Sequence, residues 1–367
     1  MNSKQRVLAA AGCEQPDRIP IDFWAVGEVF DRLADELGVA DTEGVLRKFD
    51  VDVRYFRGPG AANYASETAD ETFEDQWGVR RQWHCVTGQR KDGRPYTWRY
   101  KHLVHSPLAE AQGIADIEKH PWPDPQQWDY SGVKAACEAI VDMGRAVIFG
   151  GDRLDRTAQL KAAMYLRGME QFMADLALEP AMAECLLEHI TAYYLEYNRL
   201  VFEAAAGGID IFFMGDDMGT QNSTWVSIDM YKRFFKERFS RFNELAHSFD
   251  AKTMCHTCGR VTDIVGEFVD AGLDILQSLQ PSAMGQDFGQ LKSRFGGHLC
   301  FQGGIDIQKI LPHGSVADVR RHVQRVAKTI GAGGGYIFGT AHNILPDVPT
   351  ENILALIDAY HEFGPYA

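Results

Sequence analysis

The chain alternates short β-branched and aromatic runs with longer stretches of helical periodicity, and the alternation persists along most of its length. Strands separated by helices favour parallel pairing, with the helices packed on the sheet as crossovers. Eight runs read as strands: 19–24 (IPIDFW), 51–56 (VDVRYF), 146–149 (AVIF), 209–214 (IDIFFM), 252–256 (KTMCH), 273–277 (LDILQ), 298–302 (HLCFQ) and 336–338 (YIF). Apolar residues three and four apart predict helices at 170–177, 180–202, 229–248, 259–271, 316–330 and 350–363. The expected fold is therefore α/β, a (β/α)₈ TIM barrel. All 367 residues form one expected domain, because such barrels routinely exceed 250 residues.

One stretch interrupts the pattern. Residues 58–130 hold Trp77, Trp83, Trp98, Trp122 and Trp128 among charged residues. Within it, GQRKDGRP (88–95) reads as a turn between strands at 79–86 and 96–103. This is expected to be a β-hairpin insertion after the second strand, ending at the proline-rich 120–125.

The formal net charge of −14 disfavours phosphate backbones and anionic lipid, so neither nucleic acid nor membrane is an expected partner. No apolar run approaches the roughly 20 residues needed to span a bilayer. Residues 1–12 carry charge and lack the apolar core of a signal peptide, so the expected location is the cytoplasm. Seven scattered cysteines are then expected to be reduced.

In a barrel, chemistry gathers where strands end. The expected strand ends lead into Gly150-Gly151-Asp152, Gly215-Asp216-Asp217, His256-Thr257-Cys258, Gln277 with Gln280, Gly303-Gly304-Ile305-Asp306, and Thr340-Ala341-His342-Asn343. Imidazole and thiolate together suit Zn²⁺, and residues two apart in an extended segment point the same way. His256, Cys258 and His342 are thus the expected metal ligands. Asp216 and Asp217 are the candidate catalytic acids, or a fourth ligand, or a partner to an imidazole. Their bland reading is capping of the following helix. Cys255 is expected to point away from the site. Gly333-Gly334-Gly335 lacks a following Lys-Ser/Thr and is no phosphate loop. His84, His102, His105 and His120 read as surface or packing residues.

The motifs GDDMGTQ, CHTCGR, HLCFQGGIDIQKILPHGS and GGGYIFGTAHNILPDVPTENILAL, with the opening RVLAAAGCEQPDRIPIDFW, resemble the uroporphyrinogen decarboxylase superfamily. The resemblance covers nearly the whole chain, least clearly 58–130, and implies a barrel with its active site at the C-terminal mouth. The superfamily holds two chemistries. Decarboxylases act on uroporphyrinogen without metal and carry arginines after the first strand. Here IPIDFWAVGEVF has none between Arg18 and Arg32. Zinc methyltransferases carry His-x-Cys and a later Cys, and exchange methyl groups with the cobalt of a corrinoid protein. His256-Thr257-Cys258 matches the first part, while His342 stands where the later Cys is expected.

The resemblance thus implies a Zn²⁺ methyltransferase moving a methyl group between a small-molecule O- or S-methyl donor or acceptor and a corrinoid (cobalamin) partner protein, with Trp77 and Trp98 at the docking mouth. A homodimer is expected on the same ground. The alternative is a decarboxylase of a carboxylated substrate with Asp52 or Asp216 as the acid. A pure corrinoid carrier is not expected, since no Asp-x-His-x-x-Gly pattern occurs.

Overall fold

A computed structural model describes residues 1–60, 66–67, 72–150, 156–284 and 288–366. Gly151 and Asp152 lie outside the described residues.

Seven strands form one curled parallel sheet: β1 (Val53–Phe56), β6 (Ala146–Phe149), β7 (Ile211–Gly215), β8 (Lys252–His256), β9 (Ile275–Leu279), β10 (Cys300–Ile305) and β11 (Tyr336–Thr340), in that order. Four short or twisted strands form a separate antiparallel sheet: β2 (Ser66–Glu67), β3 (Thr72–Glu74), β4 (Arg80–Gln89) and β5 (Pro95–His105). The parallel strands are buried along their lengths, as continuous apolar runs covered on both faces must be. Long helices cover the outer face, among them Pro180–Ala205, Val316–Thr329 and Thr350–Phe363. Two expected helices differ in detail. The 229–248 helix contains a π-turn at Lys232–Lys236, and the 259–271 helix begins only at Val265.

The strand expected at 19–24 does not form. Ile21 makes an isolated bridge to Phe338 instead, and Ala25, one residue beyond the run, makes another to Ile344. Pro20 explains the interruption: it has no N–H to donate to a ladder. The segment still touches both outer strands. Asp22 N donates to Phe338 O at 2.9 Å, Phe338 N to Pro20 O at 2.7 Å, and Asp52 N to Ile21 O at 3.0 Å.

The expected hairpin is present between β4 and β5, with Trp83 opposite Lys101 and Thr87 opposite Thr97. Its turn reaches across the molecule. Lys91 Nζ donates to the carbonyls of His313 and Gly314 at 2.8 and 3.2 Å, and Arg99 N donates to Glu28 Oε1 at 3.2 Å. The hairpin therefore roofs the end of the sheet where the strands terminate.

Candidate metal centre

β8 ends at His256, and the chain stays extended through Thr257, whose N–H donates to Gln277 O at 2.6 Å. His256 and Cys258 consequently project together, with Cys258 Sγ 3.2 Å from His256 Nε2. Two glycines set the position of Cys258. Gly259 has φ of +83°, and a Cβ there would meet the Gly219 carbonyl carbon at 2.5 Å. A Cβ on Gly219 would meet Cys258 O at 2.6 Å. Only paired glycines let these two loops cross in backbone contact. His342 follows β11, its ring 5.5 Å from that of His256 at 72°. The ligand atoms of His256, Cys258 and His342 all lie within 4.8 Å of one another.

This donor set fits a tetrahedral Zn²⁺, for which N and S ligands stand about 3.5 Å apart. The environment fits as well. His256 Nδ1 donates to Gln277 Oε1, which leaves Nε2 turned toward Sγ. Trp24 stacks on the same imidazole, 5.8 Å between centroids and 18° between planes. Burial opposes protonation of His256. The Cys258 sulfur and Asp217 outweigh burial and hold its pKa up at about 9. A proton on Nε2 would compete with a metal ion for the same lone pair.

The two aspartates part company because successive residues face opposite ways at a strand end. Asp217 faces the centre. Its Oδ1 accepts from Cys258 N at 3.1 Å and lies 3.4 Å from His256 Nε2, while Oδ2 pairs with Lys161 Nζ at 3.1 Å. Burial raises its pKa, but His256, Lys161 and the Cys258 amide hold it well below the usual carboxylate range. Asp216 faces outward. It accepts the backbone N–H groups of Gln159, Leu160 and Lys161 at 2.7, 2.5 and 2.7 Å, at the start of helix Leu160–Arg167. Burial pushes its pKa up to about 6 against the pull of those bonds. Cys255 also faces outward, beside a small void shared with Met214, Tyr231 and Phe268.

Other expected residues fall elsewhere. Asp52 stands at the opposite end of the sheet, just before β1, fully buried against Arg6 and Arg18 at 2.8 and 2.6 Å. It cannot act as an acid at the C-terminal mouth. Asp306 accepts from Gln308 and Lys309 amides and serves a turn. Gln280 accepts from Gly259 N at 3.0 Å, bracing the Cys258 loop. Trp77 is not at the mouth: it packs on Tyr193 of helix Pro180–Ala205, 4.5 Å between centroids. Trp98 does line the cavity.

That cavity, about 1100 Å³, lies between the strand ends and the hairpin, with Trp24, Tyr55, Phe213 and His342 on one side and Trp98 and Lys101 on the other. Asp22 also lines it. It accepts from Tyr55 OH at 2.5 Å and Gln302 Nε2 at 2.6 Å, and burial pushes its pKa up to about 6.

Two residues escape motif reading. Asp22 lies in an apolar-looking run. Arg156 lies in a loop with no motif, yet it is only 7% exposed, and its guanidinium sits over the Phe213 ring at 4.8 Å.

Fold and site define an α/β protein with a His/Cys/His centre at the C-terminal end of a parallel sheet. The family model "Uroporphyrinogen decarboxylase (URO-D)" matches residues 104–363, and the chain belongs to this family. A uroporphyrinogen decarboxylase from Methylococcus capsulatus is 23% identical over 258 residues, 69% of this chain and 70% of that protein. One from Legionella pneumophila is 38% identical over 79 residues, 22% of each chain. Among solved structures, a methyltransferase from Methanosarcina mazei is 19% identical and matches with a TM-score of 0.68 over 99% of both chains. That likeness is one of fold.

Proposed function

We propose that this chain is a zinc-dependent methyltransferase that moves a methyl group between a small-molecule O- or S-methyl compound and the cobalt of a corrinoid partner protein. One observation carries the reading: Cys258 Sγ and both imidazoles converge, with His256 Nδ1 tied to Gln277 so that Nε2 faces the shared centre. Zn²⁺ bound there supplies Lewis acidity toward a thiol or ether heteroatom and leaves one position for it.

The chain's own residues do the rest. Gln277 fixes the tautomer and plane of His256. Trp24 covers the imidazole face and excludes water. Of the two aspartates, Asp217 is assigned the role of orienting the substrate, because its carboxylate faces His256 Nε2; held well below the usual carboxylate range, it is a weak proton acceptor. Asp216 holds the helix that carries Lys161. The hairpin roof, with Trp98 on the cavity wall, is the surface where a corrinoid protein docks. In this reading residues 1–367 are one barrel, with 19–24 filling the eighth position and 58–130 as the insertion.

A decarboxylase of a carboxylated substrate is favoured by one observation, the cations Arg99 and Lys101 on the cavity wall. Against it, Arg18 is spent on Asp50 and Asp52, and Arg32 on the carbonyls of Pro346 and Val348.

The test is elemental analysis of protein purified without added metal, together with His256→Ala and Cys258→Ser, followed by spectrophotometric methyl transfer to cob(I)alamin. About one zinc per parent chain and little in either variant is the expected result. A metal-free parent, or one that releases CO₂ from uroporphyrinogen, sinks the proposal.

A further inference from the structure

Six arginines are buried among the described residues: Arg6, Arg54, Arg81, Arg90, Arg156 and Arg167. Five are matched to carboxylates. Arg6 pairs with Asp17 and Asp52, Arg54 with Glu43, Arg81 with Asp75, Arg90 with Asp92, and Arg167 with Asp175. Arg156 is the exception. Its Nε has no hydrogen-bond partner, and no carboxylate among the described residues pairs with it. The Phe213 ring beneath it answers the charge through its face but takes none of the five N–H groups.

Its direction is fixed by Gly215. Phe213 and Gly215 lie two apart on β7 and face the same side. Phe213 lines the cavity and meets the ring of His256 at 6.5 Å. A Cβ on Gly215 would fall 2.6 Å from Arg156 Nε and 2.8 Å from its Cζ. The guanidinium therefore fills the space where a side chain at 215 would stand, on the inner face of the sheet, and Gly215 pairs in register with His256. A buried cation with no carboxylate partner among the described residues is a ready seat for an anion.

We propose that Arg156 anchors a carboxylate of the small-molecule substrate, whose methyl-bearing end then reaches His256, Cys258 and His342. This names a substrate class for the methyltransferase reading and rests on it. A carboxylate matches the planar fork of a guanidinium in two parallel bonds. One guanidinium balances one negative charge. A phosphate monoester dianion would leave a second charge unmatched against Phe213, Trp24 and Tyr55.

The test is calorimetric titration of the protein as purified with benzoate, benzamide and inorganic phosphate, repeated on Arg156→Met and Arg156→Lys. Benzoate is expected to bind roughly tenfold or more tighter than benzamide, as a charge-assisted bond to a buried group implies. Arg156→Met is expected to erase that preference while leaving benzamide binding and metal content unchanged. Its melting temperature should stay close to the parent's, because the contact with the Phe213 ring is lost but no hydrogen bond to a described residue is; a structural arginine would lower it well below. Equal binding of benzoate and benzamide by the parent, a benzoate preference that survives in Arg156→Met, or tighter binding of phosphate than of benzoate overturns the anchor. A zinc-bearing parent without benzoate preference defeats the anchor alone. A metal-free parent that still prefers benzoate through Arg156 keeps the anchor and defeats the metal reading.

Discussion

The two ends of the parallel sheet treat charge in opposite ways. At the N-terminal end, an aspartate stands just before each of three strands, and each is neutralised. Asp52 meets Arg6, Arg18 and the Ile21 amide. Asp210 meets Lys4 and the Val147 amide. Asp274 meets Lys252, His247 and the Thr253 amide. Toward the C-terminal end, buried polar atoms of three inner residues lack a partner among the described residues, Arg156 Nε, Gln277 Nε2 and Gln302 Oε1, against Asn243 Oδ1 beside the entry to β9. Completed networks hold a fold together, whereas open ones leave donors and acceptors for water or a ligand. This division of charge runs along the strand axis, the axis along which parallel α/β architecture separates stability from chemistry.

Three changes would break or sharpen that contrast. Asp52→Ala leaves two arginines facing each other without their carboxylate, at an expected cost of about 3–5 kcal/mol in urea denaturation. Zinc per folded molecule should stay at the parental level; a variant that loses metal but keeps its stability would erase the contrast.

Asp22 gives the next effect. Its folded pKa of about 6 lies above the ordinary value near 4, so between these limits the folded state binds the extra proton. Stability contributed by protonated Asp22 is full below about pH 4 and is lost as pH rises to about 6, roughly 3 kcal/mol in all. Asp22→Asn should lack this slope when denaturation is followed from pH 4 to 7. Parallel curves for parent and variant would place Asp22 with the neutralised acids of the opposite end.

Gln277→Ala removes the group that orients His256. Zinc affinity, measured by competition with a chromogenic chelator, should fall about 10- to 100-fold with the thermal transition little changed. An unaltered affinity would separate Gln277 from the centre.

Much of this was legible in the sequence because periodicity reports burial. The strands from 51 to 56 onward, and the long helices, follow from which residues must face a core. The run 19–24 misled because its composition suits a strand while Pro20 denies it a ladder. The His256–Cys258 pair was legible because spacing alone decides direction on an extended chain. Asp216 and Asp217 look equivalent as text, and only the strand's pleat sends one to a helix and the other to the centre. Arg156 was invisible for a different reason. Its significance lies in what it fails to touch, and a missing partner is a property of three dimensions.

The roof over the cavity is fastened at two places: at its turn by Lys91 to two carbonyl oxygens, and along β5 by the Arg99 amide to the Glu28 carboxylate. The two fastenings join the hairpin to separate elements, helix Gly27–Leu37 and the turn of helix that ends at His313, so the roof rests like a bridge on two piers. Losing either pier alone leaves the span attached at the other.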